Sequence, residues 1–143
     1  MKHLFPIKIA DPVAMKKFGK EIGSHLKAGD VLALVGDLGA GKTHITQGIA
    51  ECFGYLKEVT SPTFALVNEY ETGADLPDLI HFDLYRLDQP EDLLEIGWED
   101  YLEREAILVV EWADRFPELM PSGTKCVLIE HLEQGRELTY DVV

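Results

Sequence analysis

The chain has 143 residues, 46% of them hydrophobic, which is room for one domain with a single core and too large an apolar share for a disordered chain. An unbroken apolar run such as Ala106–Val110, five residues, falls far short of the roughly 20 that a membrane helix needs, and the N-terminal MKHLFPIKIAD does not read as a secretory signal. Acidic residues outnumber basic ones 26 to 13, a formal charge of −13 that repels a polyphosphate backbone and leaves direct grip on nucleic acid to another subunit.

In chain order, Leu4 to Ile9 predicts a first strand. Asp11-Pro12 then supplies an N-cap and a first-turn proline, and Met15, Phe18, Ile22 and Leu26 follow at near-helical spacing up to Gly29. Val31 to Val35 is a short buried strand. After a glycine-rich loop, Ile45, Ile49 and Cys52/Phe53 mark a helix that Gly54 stops. Phe64 to Glu71 and Leu79 to Tyr85 are β-rich runs joined by a turn, which predicts a hairpin. Pro90 opens a helix through Leu94 and on to Leu102, and Ala106 to Val110 is a buried strand. Lys125 to His131 and Arg136 to Val142 form a last hairpin around Glu133-Gln134-Gly135. Strands alternating with helices, with hairpins added, predict a three-layer α/β domain with a mixed, mainly parallel sheet spanning residues 1–143. Cys52 and Cys126 have neither redox-pair nor metal-ligand spacing, so two reduced thiols and a cytosolic setting are expected.

The loop carries the chemistry. Gly36-Asp37-Leu38-Gly39-Ala40-Gly41-Lys42-Thr43 satisfies G-x-x-x-x-G-K-[ST] in full, between a buried strand and a helix-period segment. Glycines let successive backbone N–H groups turn toward one anion, Lys42 adds a point charge for the β- and γ-phosphates, and the Thr43 hydroxyl suits Mg²⁺. The following helix aims its positive end at the same place. The expected ligand is a nucleoside triphosphate. His44, just past the motif, either donates near the α-phosphate or sits solvated on the helix surface.

Such a loop needs a carboxylate across the sheet for the metal and a group to orient the attacking water. Glu111 ends the more uniform apolar strand, and Asp83 ends a less uniform one. Both fall where an α/β sheet places its ligand crevice, and the pattern does not choose between them. Trp112 is either an aromatic beside the base or a core residue. Thr60-Ser61-Pro62-Thr63 is a hydroxyl-rich turn placed either as a nucleotide-sensing switch or simply as a loop.

Four segments together, GDLGAGKT, TSPTFALVNEY (Thr60 to Tyr70), HFDLYRL (His81 to Leu87) and VEWADR (Val110 to Arg115), resemble the TsaE family, small P-loop ATPases of bacterial tRNA threonylcarbamoyladenosine biosynthesis. Asp92 to Gly97 and Gln134-Gly135-Arg136 fit the same pattern. The resemblance implies ATP and Mg²⁺ as ligands. Leu38, Gly39, Ala40, Gly41, Lys42 and Thr43 would wrap the phosphates, Thr43 with Glu111 would hold the metal, and Asp83 would lie at it or in its water shell. Lys42, Asp83 and Glu111 would then carry catalysis, and Thr60 to Thr63 would act as the switch. Pro12, at the start of the first helix, and Gly135, in the last-hairpin turn, would lie toward the nucleotide's base end. His44 departs from the family, which more often has a hydroxyl there. The resemblance further implies a TsaB–TsaD heterodimer as partner, with tRNA reached only through it.

No arginine within these motifs is plainly an arginine finger; Arg86, Arg115 and Arg136 are ambiguous, so a weak ATPase completed by a partner is expected. A small-molecule kinase on the same loop would need an acceptor pocket and a basic lid, which this chain does not obviously supply. A nucleotide-gated binding module, with incidental hydrolysis, is the remaining class.

Overall fold

Strand β2 (Val31–Val35) needs apolar cover on both faces, and it has it. In the computed structural model it lies within a seven-stranded sheet of order β1-β7-β6-β2-β5-β4-β3. The other strands are β1 (Ile7–Ile9), β3 (Val67–Tyr70), β4 (Leu79–Asp83), β5 (Ile107–Glu111), β6 (Lys125–His131) and β7 (Arg136–Val142). The structure describes residues 1–37, 39–62, 66–73 and 75–143. Strands β6, β2, β5 and β4 run parallel through the middle. Outside them, β3 joins β4, β7 joins β6, and β1 joins β7, all antiparallel. The mixed sheet with flanking hairpins is the predicted one.

Strand alternation sorts the core into two. Leu32, Leu34, Leu79, Ile107, Val109, Val127 and Ile129 face helices α1 (Pro12–Gly23) and α2 (Lys42–Cys52). Val31, Ala33, Ile80, Phe82, Leu108 and Val110 face α3 (Pro90–Glu95), α4 (Trp98–Glu103) and the turns that follow β5. The result is the three-layer arrangement. Among the described residues no helix is long and apolar enough to cross a membrane.

Helix α1 starts as expected: the Asp11 carboxylate accepts from Ala14 N–H at 2.8 Å, and Pro12 takes the first turn. It ends at Gly23, so Leu26 is buried beyond the helix rather than within it. Helices α1 and α2 meet backbone to backbone. A Cβ on Gly48 would lie 2.0 Å from Lys16 O, and one on Gly19 would lie 2.3 Å from Ile45 O. Gly48→Ala is therefore expected to destabilise the fold by about 1–3 kcal/mol or more through overpacking. Urea unfolding checks this: a lowered midpoint at unchanged slope is the expected result.

Three further elements differ from the sequence-based expectation. The first strand is only Ile7–Ile9, because Lys2–Leu4 close a 3₁₀ turn and Pro6 has no N–H to give a ladder. The helix expected from Pro90 to Leu102 breaks in two at Gly97, whose φ of 92° is left-handed and caps α4. Its first half opens on a Gln89/Asp92 capping box. In the predicted 64–71/79–85 hairpin the strands are Val67–Tyr70 and Leu79–Asp83, and Phe64 and Ala65 lie outside the described residues.

Candidate nucleotide site

The chain leaves β2 at Val35 and turns through Gly36 to Gly41 before α2 begins. Gly41, the residue before the helix, has φ 109° and ψ 15°, a conformation that a side chain would strain. Ala40 N–H donates to Asp37 O at 3.1 Å and tightens the turn. The first amides of α2 have no partner within a helix by geometry, and with the helix dipole they make an anion seat. Leu38, expected among the phosphate-wrapping residues, lies outside the described residues.

Lys42 is buried. Its Nζ donates to Gly36 O at 2.7 Å, stands 3.9 Å from Glu111 Oε1 and lies 4.3 Å from the centre of the Trp112 ring. Burial pushes the ammonium pKa down, while the carboxylates of Glu111 and Asp83 pull the other way. The register sets these acids side by side: Asp83 at the end of β4 pairs with Glu111 at the end of β5, which in turn lies opposite Leu34 of β2. Both acids are buried. Asp83 accepts from Tyr85 N–H at 3.0 Å.

A cavity of about 210 Å³ gathers most of the predicted residues: Gly39, Ala40, Gly41, Lys42, Thr43, Ser61, Asp83, Glu111 and Trp112 all line it, with His44. Thr43, Asp83 and Glu111 thus bring one hydroxyl and two carboxylates to the lining of one cavity, hard oxygen donors of the kind Mg²⁺ takes. Among the described residues no group of three or more His, Cys, Asp or Glu side chains makes a cage by itself.

A neighbouring cavity of about 120 Å³ is lined by Ile9, Asp11, Pro12, Met15 and Arg136, and it shares Gly39, Ala40, Gly41 and His44 with the first. His44 therefore stands where the two cavities meet, and its Nδ1 is 3.3 Å from Gln47 Oε1. Gly135 precedes the side chain that counts here: Arg136 donates to Gly135 O at 2.8 Å and to Gly39 O at 3.2 Å, tying the last hairpin to the glycine loop.

Trp112 is positioned by its backbone. At φ 61° and ψ 31° it occupies the left-handed region, a strain on the order of 1–3 kcal/mol for a bulky residue. That turn lays its ring over Lys42 and against Tyr85, with ring centres 4.9 Å apart. It is neither purely core nor purely surface. Of the expected switch, Thr60 O accepts from Asn68 Nδ2 and the Tyr70 hydroxyl, Ser61 reaches the larger cavity, Pro62 O accepts from Leu66 N–H, and Thr63 lies outside the described residues; just before it, Val59 O accepts from Gln47 Nε2 of α2.

Two residues went unassigned in the sequence reading. Arg136 was ambiguous there, and its link to Gly39 spans 97 residues. His81 was only part of a motif; it is buried beside Glu111, and its signal was the run Leu79-x-His81-x-Asp83, which puts two polar groups on one face of an apolar strand.

Compared with known families, residues 9–138 match the one described as threonylcarbamoyl adenosine biosynthesis protein TsaE. Similar relatives bear the name tRNA threonylcarbamoyladenosine biosynthesis protein TsaE. The one from Bacillus subtilis is 39% identical over 95% of this chain and 84% of its own, and the one from Haemophilus influenzae 35% identical over 91% and 84%. A Nostoc relative of the same name is 41% identical over 90% and 80%. Among solved structures, YdiB of Bacillus subtilis superposes with a TM-score of 0.81 at 32% identity, covering 97% of this chain and 85% of that one.

Proposed function

The chain belongs to the TsaE family, and from that premise we propose that it is a single-domain, cytosolic ATP-binding and ATP-hydrolysing subunit that supports repeated turnover of a TsaB–TsaD pair in threonylcarbamoylation of the adenosine next to the tRNA anticodon. The observation that carries the proposal is the convergence of Lys42, Thr43, Asp83 and Glu111 on one cavity at the glycine loop. Each has a task there. The loop amides and Lys42 bind and orient the triphosphate. Thr43 and Glu111 would hold Mg²⁺, with Asp83 at it or in its water shell. When bound, the ion supplies positive charge for the phosphoryl oxygens. Glu111 also stands where a carboxylate can align a water, Trp112 over Lys42 covers the phosphate end, and Pro12 beside the smaller cavity serves the far end of the nucleotide.

Among the described residues that line the larger cavity, Lys42 is the one lysine or arginine that could meet the charge of the transition state. Arg136 and Arg115 both donate to main-chain carbonyls, of Gly39 and Gly135 in one case and of Tyr85 in the other. This supports a slow ATPase that a partner completes by engaging the Thr60–Thr63 switch or by lending a donor. The charge distribution supports a division of labour: residues 88–105 alone carry eight acids against one arginine, a segment whose charge disfavours RNA.

Steady-state phosphate release tests the proposal. The isolated chain is expected to turn over slowly and to speed up on adding TsaB–TsaD. Full-speed turnover alone, unchanged by the pair, would overturn it.

A further inference from the structure

The Glu111 carboxylate is held from behind. Its Oε1 looks toward Lys42 at 3.9 Å, a distance too long to fix an orientation by itself, while its Oε2 lies 2.5 Å from Nε2 of His81. His81 sits on β4 two residues before Asp83, on the face turned toward α1 and α2, and it is fully buried.

A histidine is a costly occupant for that position. An aliphatic side chain would fill the space with no polar atom to satisfy. Here one ring nitrogen is satisfied and the other is not: Nδ1 is sealed from solvent and has no hydrogen-bond partner among the described residues. An unshared lone pair is easier to bury than an unshared N–H, so the ring carries its proton on Nε2 and donates it to Glu111. The strand tolerates one orphaned atom to keep that single contact.

The contact does something that burial alone does not. A glutamate side chain has three rotatable bonds, and a carboxylate at a metal or water site serves only if the correct oxygen faces it. His81 occupies Oε2 from a rigid, fully paired strand, and that leaves Oε1 toward Lys42 and the cavity.

We propose that His81 is a positioning residue, whose Nε2–H fixes the Glu111 carboxylate so that Oε1 is the oxygen offered to the metal and the attacking water. The proposal rests on the reading of Glu111 as an acid of the nucleotide site.

The test compares His81→Gln with His81→Asn in the full-length chain. Both are amides, but the glutamine nitrogen reaches the place of Nε2 and the asparagine nitrogen does not. Four readouts are taken: the melting temperature, ATP affinity in EDTA, Mn²⁺ affinity of the ADP-bound chain by electron paramagnetic resonance, and kcat and KM for phosphate release with the TsaB–TsaD pair. His81→Asn is expected to lose about 10- to 100-fold in Mn²⁺ affinity and a similar factor in kcat. Its KM for ATP and its metal-free ATP affinity should stay within a few fold. His81→Gln should recover most of both losses at a similar melting temperature. Equal loss in the two variants, or wild-type Mn²⁺ binding and kcat in His81→Asn, overturns the role of His81. Glu111→Gln run alongside separates the two ideas: if it too binds Mn²⁺ and turns over normally, the reading of Glu111 fails and takes this one with it. If Glu111→Gln is impaired while His81→Asn is not, only the positioning role falls.

Discussion

The Lys42→Ala chain is expected to bind Mg-ATP about 10- to 100-fold more weakly than its parent, the loss that follows from removing one charge-assisted contact to a polyanion. Lys42 is the side chain best placed to set the affinity. It lies buried at the first position of α2, where the loop amides and the helix end already favour an anion, and it adds the formal charge that those partial charges lack. Burial lowers the pKa of the ammonium on balance, Glu111 and Asp83 pull the other way, and Gly36 O and the Trp112 ring lie against the nitrogen. Isothermal titration with Mg-ATP measures the effect, and a melting curve confirms that the variant is folded. An unchanged dissociation constant would mean that the loop does not serve a triphosphate.

Glu111→Gln should separate binding from chemistry. Nucleotide affinity is expected to stay within a few fold, whereas phosphate release falls about 10²- to 10⁴-fold, the range for loss of a positioned acid–base group. The substitution suits the site: the amide keeps the volume of the carboxylate, and its oxygen can still accept from His81 Nε2, so the β4–β5 pairing beneath is not disturbed. What is removed is the charge beside Lys42 and the group able to align a water. Assayed with TsaB–TsaD and tRNA, the variant should allow about one round of modification and then stall, an outcome that follows if hydrolysis resets the pair. Continued rounds at the parent rate would instead mark a nucleotide-gated module in which hydrolysis is incidental.

The strand–loop–helix unit from Val31 to Cys52 was legible because its determinants are local. The apolar run, the glycines and the 3.6-residue spacing all lie within about two dozen residues, and the lysine follows them directly. The break at Gly97 was not, because Leu93, Leu94, Ile96, Trp98 and Leu102 continue an apolar pattern through it, and one glycine within such a pattern is often tolerated. Leu4 and Phe5 likewise extended an alternation that the backbone does not follow. Asp83 and Glu111 were each visible as an acid at a strand end, but their adjacency depends on which strands pair, and 28 positions separate them in sequence. His81 was hidden for the same reason: its meaning lies in a neighbour 30 residues away. Arg136 is the extreme case, since only the closed sheet brings the last hairpin to the glycine loop.

The glycine seam between α1 and α2 leaves no side-chain cushion where the helices cross. Their first residues open on different chambers, Pro12 on the smaller and Lys42 on the larger. One closely packed pair of helices thus supplies part of the wall of both chambers, and a substitution that forces the seam apart is expected to alter both together.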